Sequence, residues 1–149
     1  MRFIHSYPLR WSDVDVFGHV NNVEVVRLYE EARVLMLFAM AGGFGVQSLE
    51  AGLVTARHEI DYLRPVEYRI DRTPSPEQPA VRIEMWVGEL KNSRFTIAYE
   101  LFDGDTLLGR GSTICVPFSV DLRRPRWLTE NELDFLGTYL LTENVSDKP

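Results

Sequence analysis

The sequence predicts an α+β fold in which an antiparallel sheet of about five strands wraps one long central helix. Two observations carry this expectation. Between Asn22 and Ala41, apolar residues recur at helical spacing, and Val34 to Ala41 is apolar almost all round. From Val54 to Phe118 the pattern switches to runs that alternate with period two, punctuated by turn residues.

The residues Phe3 to Trp11 alternate loosely and read as a first strand, with Phe3, Tyr7, Leu9 and Trp11 on one face and Pro8 suited to an edge. The helix follows. Val25, Val26, Leu28, Tyr29, Ala32, Leu35, Met36 and Ala39 form its stripe, while Glu24, Arg27, Glu30, Glu31 and Arg33 confine the charge to its first half. Its second half is expected to be buried on every side, and Gly42-Gly43 to end it. Val54, Ala56, His58, Ile60 and Tyr62 then alternate up to Pro65. Val81 to Val87 and Phe95 to Phe102 form the next pair, joined across Gly88 to Ser93. Asp103-Gly104-Asp105 signals a hairpin into a last strand, Leu107 to Phe118. The proline-rich stretch Thr73 to Pro79 reads as a surface loop. Thr129-Glu130-Asn131-Glu132 has the form of a capping box opening a short helix of about 129–141, and the polar tail Thr142 to Pro149 is expected to fray.

A chain of 149 residues with 45% hydrophobic and 26% charged residues fits one domain, 1–149, with its core at about 3–120. The lone Cys115 allows no internal disulfide, and its apolar flanks make it a core residue in a reducing compartment. The N-terminus lacks the apolar run of a signal peptide, and Val34 to Ala41 is too short to span a bilayer. A cytoplasmic location is therefore expected, with no membrane partner. The net charge of -6 argues against a nucleic-acid partner, which needs cations to displace counterions from phosphates. Only Lys91 and Lys148 are lysines, and arginines cluster at Arg123, Arg124 and Arg126, a composition able to grip phosphate. No His, Cys, Asp or Glu cluster has convincing metal spacing, and no cofactor is expected.

The residues with chemical potential concentrate just before the helix, in Asp13-x-Asp15-x-x-Gly18-His19-Val20-x-Asn22. Polar side chains next to a helix N-terminus bring a carboxylate close to unpaired backbone N–H groups and the positive end of the helix dipole. With Tyr29-Glu30-x-Ala32-Arg33, His58-x-x-x-Tyr62-x-Arg64-Pro65 and Gly88-x-x-x-x-Ser93 in that order, the chain resembles hotdog-fold acyl-CoA thioesterases of the 4-hydroxybenzoyl-CoA thioesterase type.

That resemblance implies hydrolysis of an acyl thioester, of coenzyme A or alternatively of an acyl-carrier protein, to acid and thiol. Asp15 is the implied nucleophile or general base, and the backbone N–H of Asn22 the oxyanion donor. His19 would orient the site or carry a proton, and Gly18 would let the loop approach the substrate. A thiol with a pKa of about 8.5 leaves without a strong general acid. Arg64, Lys91, Ser93, Arg123 and Arg124 are the candidate contacts for coenzyme A. Asp13 reads as a turn or cap residue, Glu30 and Glu31 as partners of Arg33 or Arg27, and His58 as a hydrogen-bonded core histidine. Exposed sheet edges point to a homodimer, or to two dimers paired as a tetramer. Two other functions fit the same fold: a dehydratase acting on hydroxyacyl thioesters, with His19 at the substrate β-carbon, and a non-catalytic acyl-thioester binder.

Overall fold

The computed structural model describes residues 1–46, 48–68 and 80–141. The expected Thr73 to Pro79 loop and Thr142 to Pro149 tail lie outside them. Strands β1 (Phe3–Pro8), β2 (Leu53–Tyr62), β3 (Ala80–Lys91), β4 (Arg94–Asp103) and β5 (Thr106–Ser119) form one antiparallel sheet in the order β1-β3-β4-β5-β2. A short strand, β6 (Arg124–Pro125), adds to β5 and was not expected from the sequence. The curled sheet around one long helix, with a short C-terminal helix, is the hotdog arrangement.

The central helix begins as α1 (Asn22–Val34), becomes a π-helical segment over Leu35–Met40 and closes with an α-helical turn at Ala41–Gly43. Leu28, Ala32, Met36 and Leu37 are buried against Ile83, Met85, Ile97 and Leu101 of the sheet. Tyr29 packs on Tyr99 with ring centres 4.8 Å apart. The second half is not buried on every side as expected: Val34, Ala39 and Met40 are exposed. Val34 closes α1 on the face turned away from the buried Ala32 and Met36, and the π turns set Ala39 and Met40 off the α-helical stripe, so apolar composition does not map onto one buried face. Arg33, one of the charged residues of the helix's first half, is buried, donating to the Tyr99 hydroxyl at 3.1 Å and Thr113 Oγ1 at 3.4 Å.

Other boundaries shift for local reasons. Trp11 is not on the strand face; β1 stops at Pro8, and Trp11 opens a 3₁₀ turn with its ring in solvent. Strands β3 and β4 run further than expected, because Gly88 is absorbed by a bulge between Val87 and Glu89 and Asn92-Ser93 alone make the turn. At the next hairpin Gly104 has φ 55, the left-handed backbone such a turn favours. The outer strands are β1 and β2, and β2 is exposed along nearly its whole length.

The C-terminal helix, α2 (Glu130–Thr138), starts with the expected capping box: Thr129 Oγ1 accepts the Glu132 N–H, and Glu132 accepts the Thr129 N–H at 2.7 Å. Cys115 is buried as expected, and burial pushes its thiol up to about 11. Because the thiolate is the reactive form, the native chain is expected to resist an aromatic disulfide reagent at pH 8 and to react once denatured. Rapid labelling of the native chain would contradict this packing.

Candidate active site

Between β1 and α1 the chain is pinned before it reaches the helix. Arg10 donates from its backbone N–H at 2.9 Å and its guanidinium at 2.8 Å to Asp13, whose carboxylate is buried. The buried carboxyl would be pushed up by loss of solvent, but the Arg10 bonds and the nearby Arg27 charge hold it below its ordinary value. Asp13 is thus the turn and capping residue that the sequence suggested.

The loop beyond it folds on Asp15. The Asp15 N–H donates to His19 O at 2.8 Å, and Gly18 N–H returns to Asp15 O at 3.1 Å. Asp15 Oδ1 accepts from the N–H groups of Phe17 at 2.8 Å and His19 at 3.4 Å. Oδ2 takes no hydrogen bond from the described residues, so Oδ1 alone orients the carboxylate. Gly18 sits at φ 82, and a Cβ there would touch nothing within 4 Å. The glycine is therefore required by the backbone conformation itself. Gly18→Ala is expected to cost about 1–2 kcal/mol and Gly18→Asn less, by urea denaturation; equal stability of all three would contradict it.

At the helix, Asn21 is the N-cap, its Oδ1 accepting the Val23 N–H at 2.9 Å. Asn22 is the first helical residue, and its backbone N–H makes no hydrogen bond among the described residues. Such a donor lies at the positive end of the helix dipole.

Asp15, His19 and Asn22 share a cleft of about 320 Å³ with Val20, Val25, Tyr62, Leu63, Arg64, Pro65 and Val66. Gly18 belongs to the same loop. Arg64 is held over the cleft by a 2.7 Å bond to Leu107 O. Lys91, Ser93, Arg123 and Arg124 line no part of this cleft: Lys91 pairs with Glu89 at 2.6 Å, Ser93 is in the β3–β4 turn, and Arg123 and Arg124 are exposed at β6. Sequence reasoning missed Tyr62 as a cleft residue. Its hydroxyl reaches Asn22 O at 3.4 Å, and only the alternation of β2 hinted at it.

The remaining candidates have structural partners. Glu31 pairs with Arg27, and Glu30 lies 3.7 Å from Arg33. His58 is hydrogen-bonded through Nδ1 to Thr113 Oγ1 at 2.8 Å, but it is exposed rather than in the core, because β2 is an outer strand. Partial burial and then the Arg33 charge push its pKa down. A larger groove of about 670 Å³ runs along the outer helix face between Arg27 and Ala39. It is lined by Glu30, Glu31 and Glu50 but contains no helix N-terminus, whereas the smaller cleft sets a carboxylate beside one. Among the described residues, no group of three or more His, Cys, Asp or Glu could hold a metal. No helix of the described residues is long and apolar enough to cross a membrane.

A family model described as the thioesterase-like superfamily matches residues 9–133. No curated protein matches the chain. Among solved structures, a predicted thioesterase from Bacillus stearothermophilus superposes with a TM-score of 0.79 at 20% identity, covering 97% of this chain and 100% of that one. A hypothetical protein from Staphylococcus aureus in complex with CoA gives 0.77 at 13% identity over 100% and 90% of the two chains. A 1,4-dihydroxy-2-naphthoyl-CoA thioesterase from Synechocystis gives 0.72 at 16% identity over 92% and 96%. At these identities the superpositions establish the shared fold.

Proposed function

The chain belongs to the thioesterase-like superfamily, and from that premise we propose that it hydrolyses acyl-CoA thioesters with Asp15 as the working carboxylate. The observation that carries this reading is one cleft shared by a carboxylate with a free oxygen and a helix N-terminus with a free N–H. Superposition on a CoA complex supports coenzyme A as the thiol portion.

The thioester carbonyl is placed at the Asn22 N–H, where negative charge on its oxygen gains a preorganised donor. Asp15 Oδ2 then attacks the carbonyl carbon; the C–S bond breaks, the thiolate leaves, and water hydrolyses the mixed anhydride. In the alternative use of the same carboxylate, Asp15 takes a proton from water as the water oxygen attacks. His19 lines the same cleft and can orient the water or carry a proton. Arg64 lines the same cleft, and in this reading its guanidinium pairs with a phosphate of the substrate.

A homodimer completes this reading. Among the described residues, the ten-residue edge strand β2 is left largely exposed, with Val54 and Tyr62 in solvent. Edges this long are normally paired or covered, and pairing with a second copy is the symmetric solution. In such a dimer Lys91, Ser93, Arg123 and Arg124 are available to the phosphates of a substrate held against the partner. Sedimentation velocity is expected to give twice the 17.2 kDa chain mass; a monomer at all concentrations would contradict the dimer.

The reaction is tested by incubating the purified chain with aromatic, short-chain and long-chain acyl-CoAs and following free thiol and acid. Thiol release from at least one series is the expected result. An enoyl product without thiol would instead establish the dehydratase, and saturable binding with neither product the non-catalytic binder.

A further inference from the structure

We propose that Asp13 is a positioning residue that holds Asp15 and the Asn22 N–H in register, an inference that rests on the reading of the cleft above. Its carboxylate and its carbonyl tie together three segments. Oδ2 accepts the Arg10 N–H at 2.9 Å, and Oδ1 accepts the Arg10 guanidinium. Oδ1 also lies 3.5 Å from Arg27 on the second turn of α1. The carbonyl of the same residue accepts the N–H of the N-cap Asn21 at 2.8 Å.

Two residues later comes Asp15, and the intervening Val14 bridges to Val20 just before the N-cap. The nucleophile and the oxyanion donor thus belong to different elements joined at one residue, which is 1% exposed, through its carboxylate and its carbonyl. Arg27 is itself fixed, by Glu24 and Glu31 on either side of it along the helix. The ion pairs therefore form a strut from the loop to the helix barrel, with Asp13 as the joint. Charge at such a joint acts on geometry, and an ångström of slack between attacking oxygen and oxyanion donor reduces the rate without weakening binding of the distant CoA portion.

The test uses the full chain carrying Asp13→Asn, Arg27→Gln or both, assayed well below each variant's melting temperature with an acyl-CoA that the native chain cleaves. Asp13→Asn is expected to lower kcat on the order of 10²-fold with KM little changed. Arg27→Gln is expected to lower kcat less, and the double variant to be no worse than Asp13→Asn alone. Amide exchange is followed in parallel: the Phe17 and His19 N–H groups, bound to Asp15 Oδ1, are expected to exchange faster in Asp13→Asn while those of β4 keep their rates. Native kcat in Asp13→Asn, or unchanged exchange at Phe17 and His19, would overturn the proposal. Should Asp13→Asn fail to fold, Arg27→Gln decides: reduced kcat supports the strut, and native kcat overturns it. If the native chain cleaves no thioester, the hydrolase reading fails by itself, and the exchange measurement still judges the positioning role.

Discussion

Arg126→Ala is expected to destabilise the chain by about 3–5 kcal/mol, because it strands a buried carboxylate. Glu132 is 0% exposed. It accepts both terminal nitrogens of Arg126 at 2.7 and 2.8 Å, the Ser48 hydroxyl at 2.6 Å and the Thr129 N–H at 2.7 Å. Burial by itself would raise the Glu132 carboxyl; these bonds and the guanidinium charge outweigh it and hold the pKa below the ordinary 4.5. Removing Arg126 leaves the desolvation in place and takes away its main compensation. The damage reaches the sheet, since α2 docks on β3 through Val87 N–H to Tyr139 O and Leu141 N–H to Val87 O, both at 2.9 Å.

The same cluster sets a pH dependence. A carboxylate with a depressed folded pKa contributes stability that is complete above its unfolded value and is lost as pH falls through the folded one. Glu132 and Asp13 both have this sign. Urea midpoints of the native chain are expected to fall as pH drops below about 4.5. Glu132→Gln should fall less steeply, Asp13 still contributing to the slope. An Arg126→Ala variant as stable as the native chain at pH 7 would refute the account of this end of the fold.

The elements were legible in the sequence where one local rule governed. The Thr129 and Glu132 capping box, the Gly104 turn and the period-two strands depend on residues within a few positions of each other. What failed depends on tertiary context. Val34 to Ala41 has the composition of a buried helix, yet Val34 lies on the outer face of α1 and the π segment turns Ala39 and Met40 outward. His58 alternates with apolar residues, the pattern of a core position, but β2 is the last strand of the sheet and His58 is left exposed by the described residues. Arg33 reads in the sequence only as a partner for Glu30 or Glu31, whereas its burial against hydroxyls 66 and 80 residues away depends on the folded sheet. In the cleft, Asp15, His19 and Asn22 were legible because they fall within eight consecutive positions of one loop and its helix. Tyr62 arrives from β2 and could not be assigned from its neighbours in sequence.

Asp15→Ala carries the largest expected effect on activity. It removes the one carboxylate in the cleft with an oxygen unclaimed by the described residues, and a loss of about 10²–10⁴-fold in kcat is the scale of a missing general base or nucleophile. It also removes the acceptor for the Phe17 and His19 N–H groups, so Asp15→Asn, which keeps an oxygen for them, separates chemistry from loop structure. Both variants are expected to be inactive, while Asp15→Asn retains the native fold and substrate affinity. The most direct measurement is single-turnover thiol release from a bound acyl-CoA by the native chain and Asp15→Asn, with binding verified calorimetrically. The account predicts that both bind and that only the native chain releases thiol; release by Asp15→Asn at the native rate would contradict it.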